Sequence, residues 1–159
     1  MRSCFFIGHR TVLEDLWDRL RGSIERHIME YGVRLFVVGH YGDFDRLVTR
    51  TLVEAKKRHP EIQVLVLLPY HPGRGNYQPP EGVDGTFYPP GQETRPKIAA
   101  IPAANEYMIR HSDYLICYDR GEVGKTRDFV RLARGLERQG RLHVENLAGS
   151  GAGESEVED

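Results

Sequence analysis

Three times in this chain a short apolar run breaks at a glycine-bearing turn and hands over to a helical pattern. Ser3–Ile7 runs into Gly8-His9-Arg10-Thr11, Arg34–Val38 into Gly39–Asp43, and Tyr114–Tyr118 into Asp119–Gly124. A fourth run, Ile62–Leu68, is nearly continuous Val and Leu, which suits a strand covered on both faces. Strands that alternate with helices demand crossover connections and hence a parallel sheet. The expected fold is α/β, a Rossmann-like three-layer sandwich with a mostly parallel sheet of about five strands. Leu142–Val144 supplies the fifth.

The helices follow from apolar spacing. Leu13, Leu16, Trp17, Leu20, Ile24, Ile28 and Tyr31 form one stripe, with Thr11 and Glu14 as an expected capping box and Gly32 closing the end. Phe44, Leu47, Val48, Leu52 and Ala55 form the next, ending in Lys56-Lys57-Arg58 and Pro60. Pro102 opens a short helix over Ala103–His111. Thr126 is expected to cap the last, which carries Phe129, Val130, Ala133 and Leu136. Residues 1–147 read as one domain. Within it, 69–101 is a long Pro-, Gly- and Tyr-rich excursion, its tip around Gly73–Gly85 expected to be its most mobile part. Residues 148–159 are mostly Gly, Ser, Glu and Asp and are expected to be a disordered acidic tail.

Charge and composition exclude several classes. A formal net charge of −1 gives no general attraction to nucleic acid, so any anion site must be local. No apolar run is long enough for a membrane span, and the N-terminal apolar part is too short for a signal peptide, so the expected location is the cytoplasm. Cys4 and Cys117 sit singly in apolar runs and read as buried thiols rather than a disulfide. The seven histidines show no metal-ligand spacing, and no metal or cofactor is expected.

The candidate ligand-binding residues cluster at the junctions, which a parallel sheet brings to its carboxyl edge. Gly8, His9 and Arg10 offer a turn, an imidazole and a phosphate-binding guanidinium. Gly39 and Gly42 let backbone approach a ligand, while His40 and Tyr41 suit stacking on a base. Asp43 and Asp45 lie at the helix start, where a carboxylate serves a ribose hydroxyl or the helix dipole. Asn105 offers an amide, and Gly124, Lys125, Thr126 and Arg127 offer a helix N-terminus with a hydroxyl and two cations. Gly121 and Gly124 are too close for a Walker A loop. Arg74, Tyr77 and Arg95 could close over a ligand from the excursion, though a plain solvated surface is the simpler reading.

In combination these motifs bear a family likeness. Cys4-Phe5-Phe6-Ile7-Gly8-His9-Arg10 resembles the opening motif of YpsA-like proteins in the SLOG superfamily. Gly39–Asp45, Asn105–Met108 with His111–Ile116, and Gly124–Arg127 resemble that family's later motifs, in the same order. The resemblance covers roughly residues 3–137 and implies a Rossmann-like fold that binds a nucleotide or nucleotide-derived ligand, with a homo-oligomer as the expected assembly. The related Lonely-guy phosphoribohydrolases use an Arg where this chain has Asn105 and a Glu where it has Phe129. A phenyl ring transfers no proton, so the expectation leans towards binding without catalysis, with the catalytic residues unknown. The alternatives are a nucleotide hydrolase drawing an acid from Asp45, Asp113 or Glu122, and a non-catalytic assembly subunit.

Overall fold

The computed structural model describes residues 1–71, 73 and 77–148. The expectations for Arg74 and for the tail beyond Ala148 lie outside the described residues. Six strands form one sheet: β1 (Arg2–Gly8), β2 (Val33–Val38), β3 (Gln63–Leu67), β4 (Gly85–Phe87), β5 (Tyr114–Tyr118) and β6 (His143–Asn146). The order is β4-β3-β2-β1-β5-β6, and every pairing is parallel. Four α-helices flank it: α1 (Trp17–Met29), α2 (Asp43–Arg58), α3 (Ala100–His111) and α4 (Lys125–Arg138). This is the expected Rossmann-like three-layer sandwich, with one more strand than the sequence suggested.

Alternation along β1 divides the core. Cys4 and Phe6 pack with Leu20, Ile24, Phe44 and Leu52 of α1 and α2 on one face. Phe5 and Ile7 pack with Met108, Ile109, Val130 and Leu136 of α3 and α4 on the other. Burial of each large side chain here stabilises the fold by about 1.5–3 kcal/mol, several times the differences in helix propensity among ordinary residues. Both cysteines are buried free thiols, and burial pushes Cys117 up to about 12. Among the described residues no helix is long and apolar enough to cross a membrane.

The added strand, β4, comes from inside the 69–101 excursion. Its three residues pair with Leu65–Leu67, and Asp84 fixes the approach by accepting from the Val64 N–H at 2.7 Å. The excursion is also held from within. The buried Gln92 amide donates to the Pro69 and Ala100 carbonyls at 2.9 and 3.0 Å. Replacing Gln92 with Ala should strip the Pro69 carbonyl of this donor, unpin it from the start of α3, and cost about 1–3 kcal/mol. The expected readout is faster limited proteolysis within 88–99, at a cleavage rate that the wild type does not reach.

Two expected caps differ. The capping box of Thr11 and Glu14 does not form; α1 starts at Trp17, whose N–H donates to the Asp15 carboxylate at 3.1 Å. Glu14 is instead engaged by Arg19 at 2.6 Å and by the Tyr118 hydroxyl at 2.9 Å. The buried Tyr118 ring carries a hydroxyl that needs a partner, and this tertiary demand outranks a local cap. At α4 the cap position belongs to Gly124, and the Thr126 hydroxyl donates to the Gly8 carbonyl at 3.3 Å.

Candidate functional site at the carboxyl edge of the sheet

The strand order reverses beside β1. Strands β2 to β4 step outward on one side, whereas β5 and β6 lie on the other. Loops leaving β1 and β5 therefore diverge, and a crevice opens between them. A cleft of 480 Å³ occupies this place. Gly8 and Arg10 reach it from β1, Gly39 and Asp45 from the β2–α2 junction, and Asn105, Lys125 and Thr126 from α3 and α4. All seven are residues expected from sequence, and they share one lining.

Arg10 is placed by its neighbours. The Asp43 N–H donates to the Arg10 carbonyl at 2.7 Å, and the Asp43 carboxylate accepts from the Val12 N–H and pairs with Arg46. Gly42 adopts a φ of 110°, and a Cβ there would stand 2.7 Å from the Arg10 Cα. Only glycine fits both demands. Gly42 and Asp43 therefore stand behind the cleft and brace Arg10.

Asp45 is a partly buried carboxylate directly under the Gly39 turn. It accepts from the Tyr41 N–H at 3.0 Å, and its Oδ2 lies 2.8 Å from where a Gly39 side chain would begin. Burial raises its pKa to about 6, against smaller opposing pulls from the Tyr41 N–H, Arg46 and Arg10. A carboxyl group that titrates near neutrality at a cleft wall suits proton exchange or a hydrogen bond to a sugar hydroxyl.

Other expected residues stand apart. His9 bridges two loops: its Nε2 accepts from the Arg120 N–H at 2.9 Å, and its ring meets Tyr118 edge-on. Burial, then the Arg120 guanidinium, lowers its pKa, which keeps the imidazole neutral. Gly124 forms the α4 N-cap without lining the cleft, and Arg127 faces away from it along α4. His40 lines a second hollow of 710 Å³. Tyr41 and Pro69 belong to both linings, so the two spaces adjoin.

This second hollow also contains residues with no motif to mark them, including Tyr70, His71, Tyr88 and Gln92. His40 lies 4.2 Å from Tyr41 and 4.6 Å from Tyr77 between ring centres, which makes one aromatic wall. Arg95 and Lys97 add positive charge. The available signal is the density of tyrosines in a stretch with no helical or strand periodicity. Ile98, 90% exposed, sits on the rim of the first cleft. Two acids considered for catalysis lie elsewhere. Asp113 accepts from the Ser3 N–H at 2.9 Å at the far edge of the sheet, and Glu122 pairs with Arg120. Among the described residues no His, Cys, Asp and Glu group could hold a metal ion. Compared with known proteins, the chain matches no family model and no curated relative.

Proposed function

We propose that this protein binds a nucleotide or nucleotide-derived ligand at the carboxyl edge of its sheet, as a sensor. The observation that carries the reading is the cleft in which Arg10, Lys125 and the first turn of α4 converge, continuous with an aromatic-walled hollow. Phosphate suits the first space: a guanidinium, an ammonium and the positive end of a helix dipole all favour it. A purine or pyrimidine suits the second, against Tyr41, His40 and Tyr77. Asp45 and Asn105 line the first space and offer a carboxylate and an amide for sugar hydroxyls. The likeness of the four sequence motifs to YpsA-like SLOG proteins supports the same reading. The proposal extends to a cytoplasmic homo-oligomer, whose assembly light scattering on the purified protein would check.

The test is a thermal-shift and calorimetric panel of nucleoside mono- and diphosphates. A ligand that binds the folded state alone raises the melting temperature as its concentration passes Kd. Arg10→Ala and Lys125→Ala should each weaken binding about 10- to 100-fold, the value of one charge-assisted hydrogen bond. No shift with any nucleotide, or equal affinity in both variants, would remove this reading.

The raised pKa of Asp45 favours a second reading, a hydrolase using that carboxyl group as acid and base. Free base or phosphate released from a nucleotide, and lost in Asp45→Asn, would select it over binding alone.

A further inference from the structure

Away from the cleft, α4 presents Arg127, Arg131, Arg134 and Arg138, which line a separate shallow cavity of 580 Å³ with Asp119, Val130 and Asn146. At roughly 100° and 1.5 Å per residue the four side chains fall within an arc of about 60° along about 16 Å of helix. That is one continuous cationic stripe. Amphipathicity explains only the adjoining buried face, which runs from Val130 at the edge of the stripe through Ala133 to Leu136.

The stripe is under-neutralised. Arg134 pairs with Glu137 at 2.9 Å. Among the described residues Arg127, Arg131 and Arg138 have no carboxylate partner, although a solvated helix surface commonly alternates its charges. The Asp119 carboxylate is engaged elsewhere, accepting from the Gly121 N–H at 2.9 Å and facing His9. Independently, the Arg127 Nε is a buried donor with no hydrogen-bond acceptor. Buried donors are nearly always satisfied, so this one marks Arg127 as a side chain whose Nε no described residue engages.

We propose that this face of α4 is a second anion site, taking a linear phosphate chain along its length. Guanidinium groups favour phosphate oxygens, and a stripe of this length matches several successive phosphates. The lining carries no aromatic side chain on which a base would stack. Recognition therefore rests on the phosphates, which either inorganic polyphosphate or the backbone of a single-stranded oligonucleotide presents. The site does not depend on the nucleotide cleft, since the two linings share no residue.

The experiment titrates the full chain with two probes, a medium-length inorganic polyphosphate and a single-stranded hexanucleotide, at low and at physiological salt. Arg131→Ala/Arg138→Ala is the test variant; both side chains are exposed, so the fold should survive, and circular dichroism checks it. At least one probe should bind with affinity that falls steeply with salt, and the double substitution should weaken it tenfold or more. Polyphosphate alone binding would identify the free polyanion as the source; the hexanucleotide binding comparably would identify nucleic-acid backbone. A loss in Lys125→Ala, in the cleft, as large as that in the double substitution would assign the probe to the cleft and overturn the proposal. No binding of either probe at low salt, or an affinity unchanged by the double substitution, would overturn the proposal.

Discussion

Gly8→Ala should lower the melting temperature by about 6–12 °C, corresponding to about 3 kcal/mol for a domain of this size. The side chain has nowhere to go. A Cβ at Gly8 would lie 2.2 Å from the Phe44 ring, and Phe44 is fully buried between α2 and the sheet. The collision meets the ring at Cγ and Cδ2 and the Cβ that anchors it, so relief requires α2 itself to shift. That shift would carry Asp43 away from the Arg10 carbonyl and Asp45 away from Gly39. Differential scanning calorimetry should record the loss of stability, and nucleotide titration an accompanying loss of affinity. A Gly8→Ala protein as stable as wild type would show that the β1–α2 contact is looser than described.

The second large effect is a pH dependence. Asp45 titrates at about 6 in the folded chain against 3.8 for its ordinary value. A carboxyl group raised by folding destabilises the native state once it ionises. Stability should therefore be greatest, as far as this group decides, below about pH 4, fall between about 4 and 6, and level off above. The full drop is about 3 kcal/mol at about 1.4 kcal/mol per unit. Asp45→Asn keeps an oxygen for the Tyr41 N–H and removes the charge, so it should be more stable than wild type at pH 7 and lose the decline. Glu25, Glu137 and Glu145 sit below their ordinary values and act in the opposite sense as pH falls through the lower window. Both proteins share them, so the difference in unfolding free energy across pH 4 to 7 isolates Asp45. A difference that stays flat would refute the raised value.

Five strands were legible, four of them because buried parallel strands are written as continuous apolar runs. Strand β4 was not: Gly85-Thr86-Phe87 is too short for periodicity, and its pairing depends on Asp84, twenty residues from its partner Val64. The junction glycines announced the cleft, but their several tasks were hidden. Gly39 lines it, while Gly42 is required by the backbone of a distant loop. His9 looked like a ligand group for the same reason that it makes a good brace, since an imidazole beside a turn serves either need. The Tyr118–Glu14 bond, across more than a hundred residues, left no local trace and displaced the expected cap. Residues that act on near neighbours could be read; residues whose partner is brought by the sheet could not.

The central position of β1 has a consequence for synthesis. Its first flank is closed by β2, encoded soon after, but its second waits for Tyr114–Tyr118. A nascent chain that has emerged only as far as α3 therefore carries an open hydrogen-bonding margin along a strand whose middle residues are all buried in the finished fold. Ribosome-stalled chains ending before residue 114 should depend on holding chaperones, and those that have released Tyr118 should not.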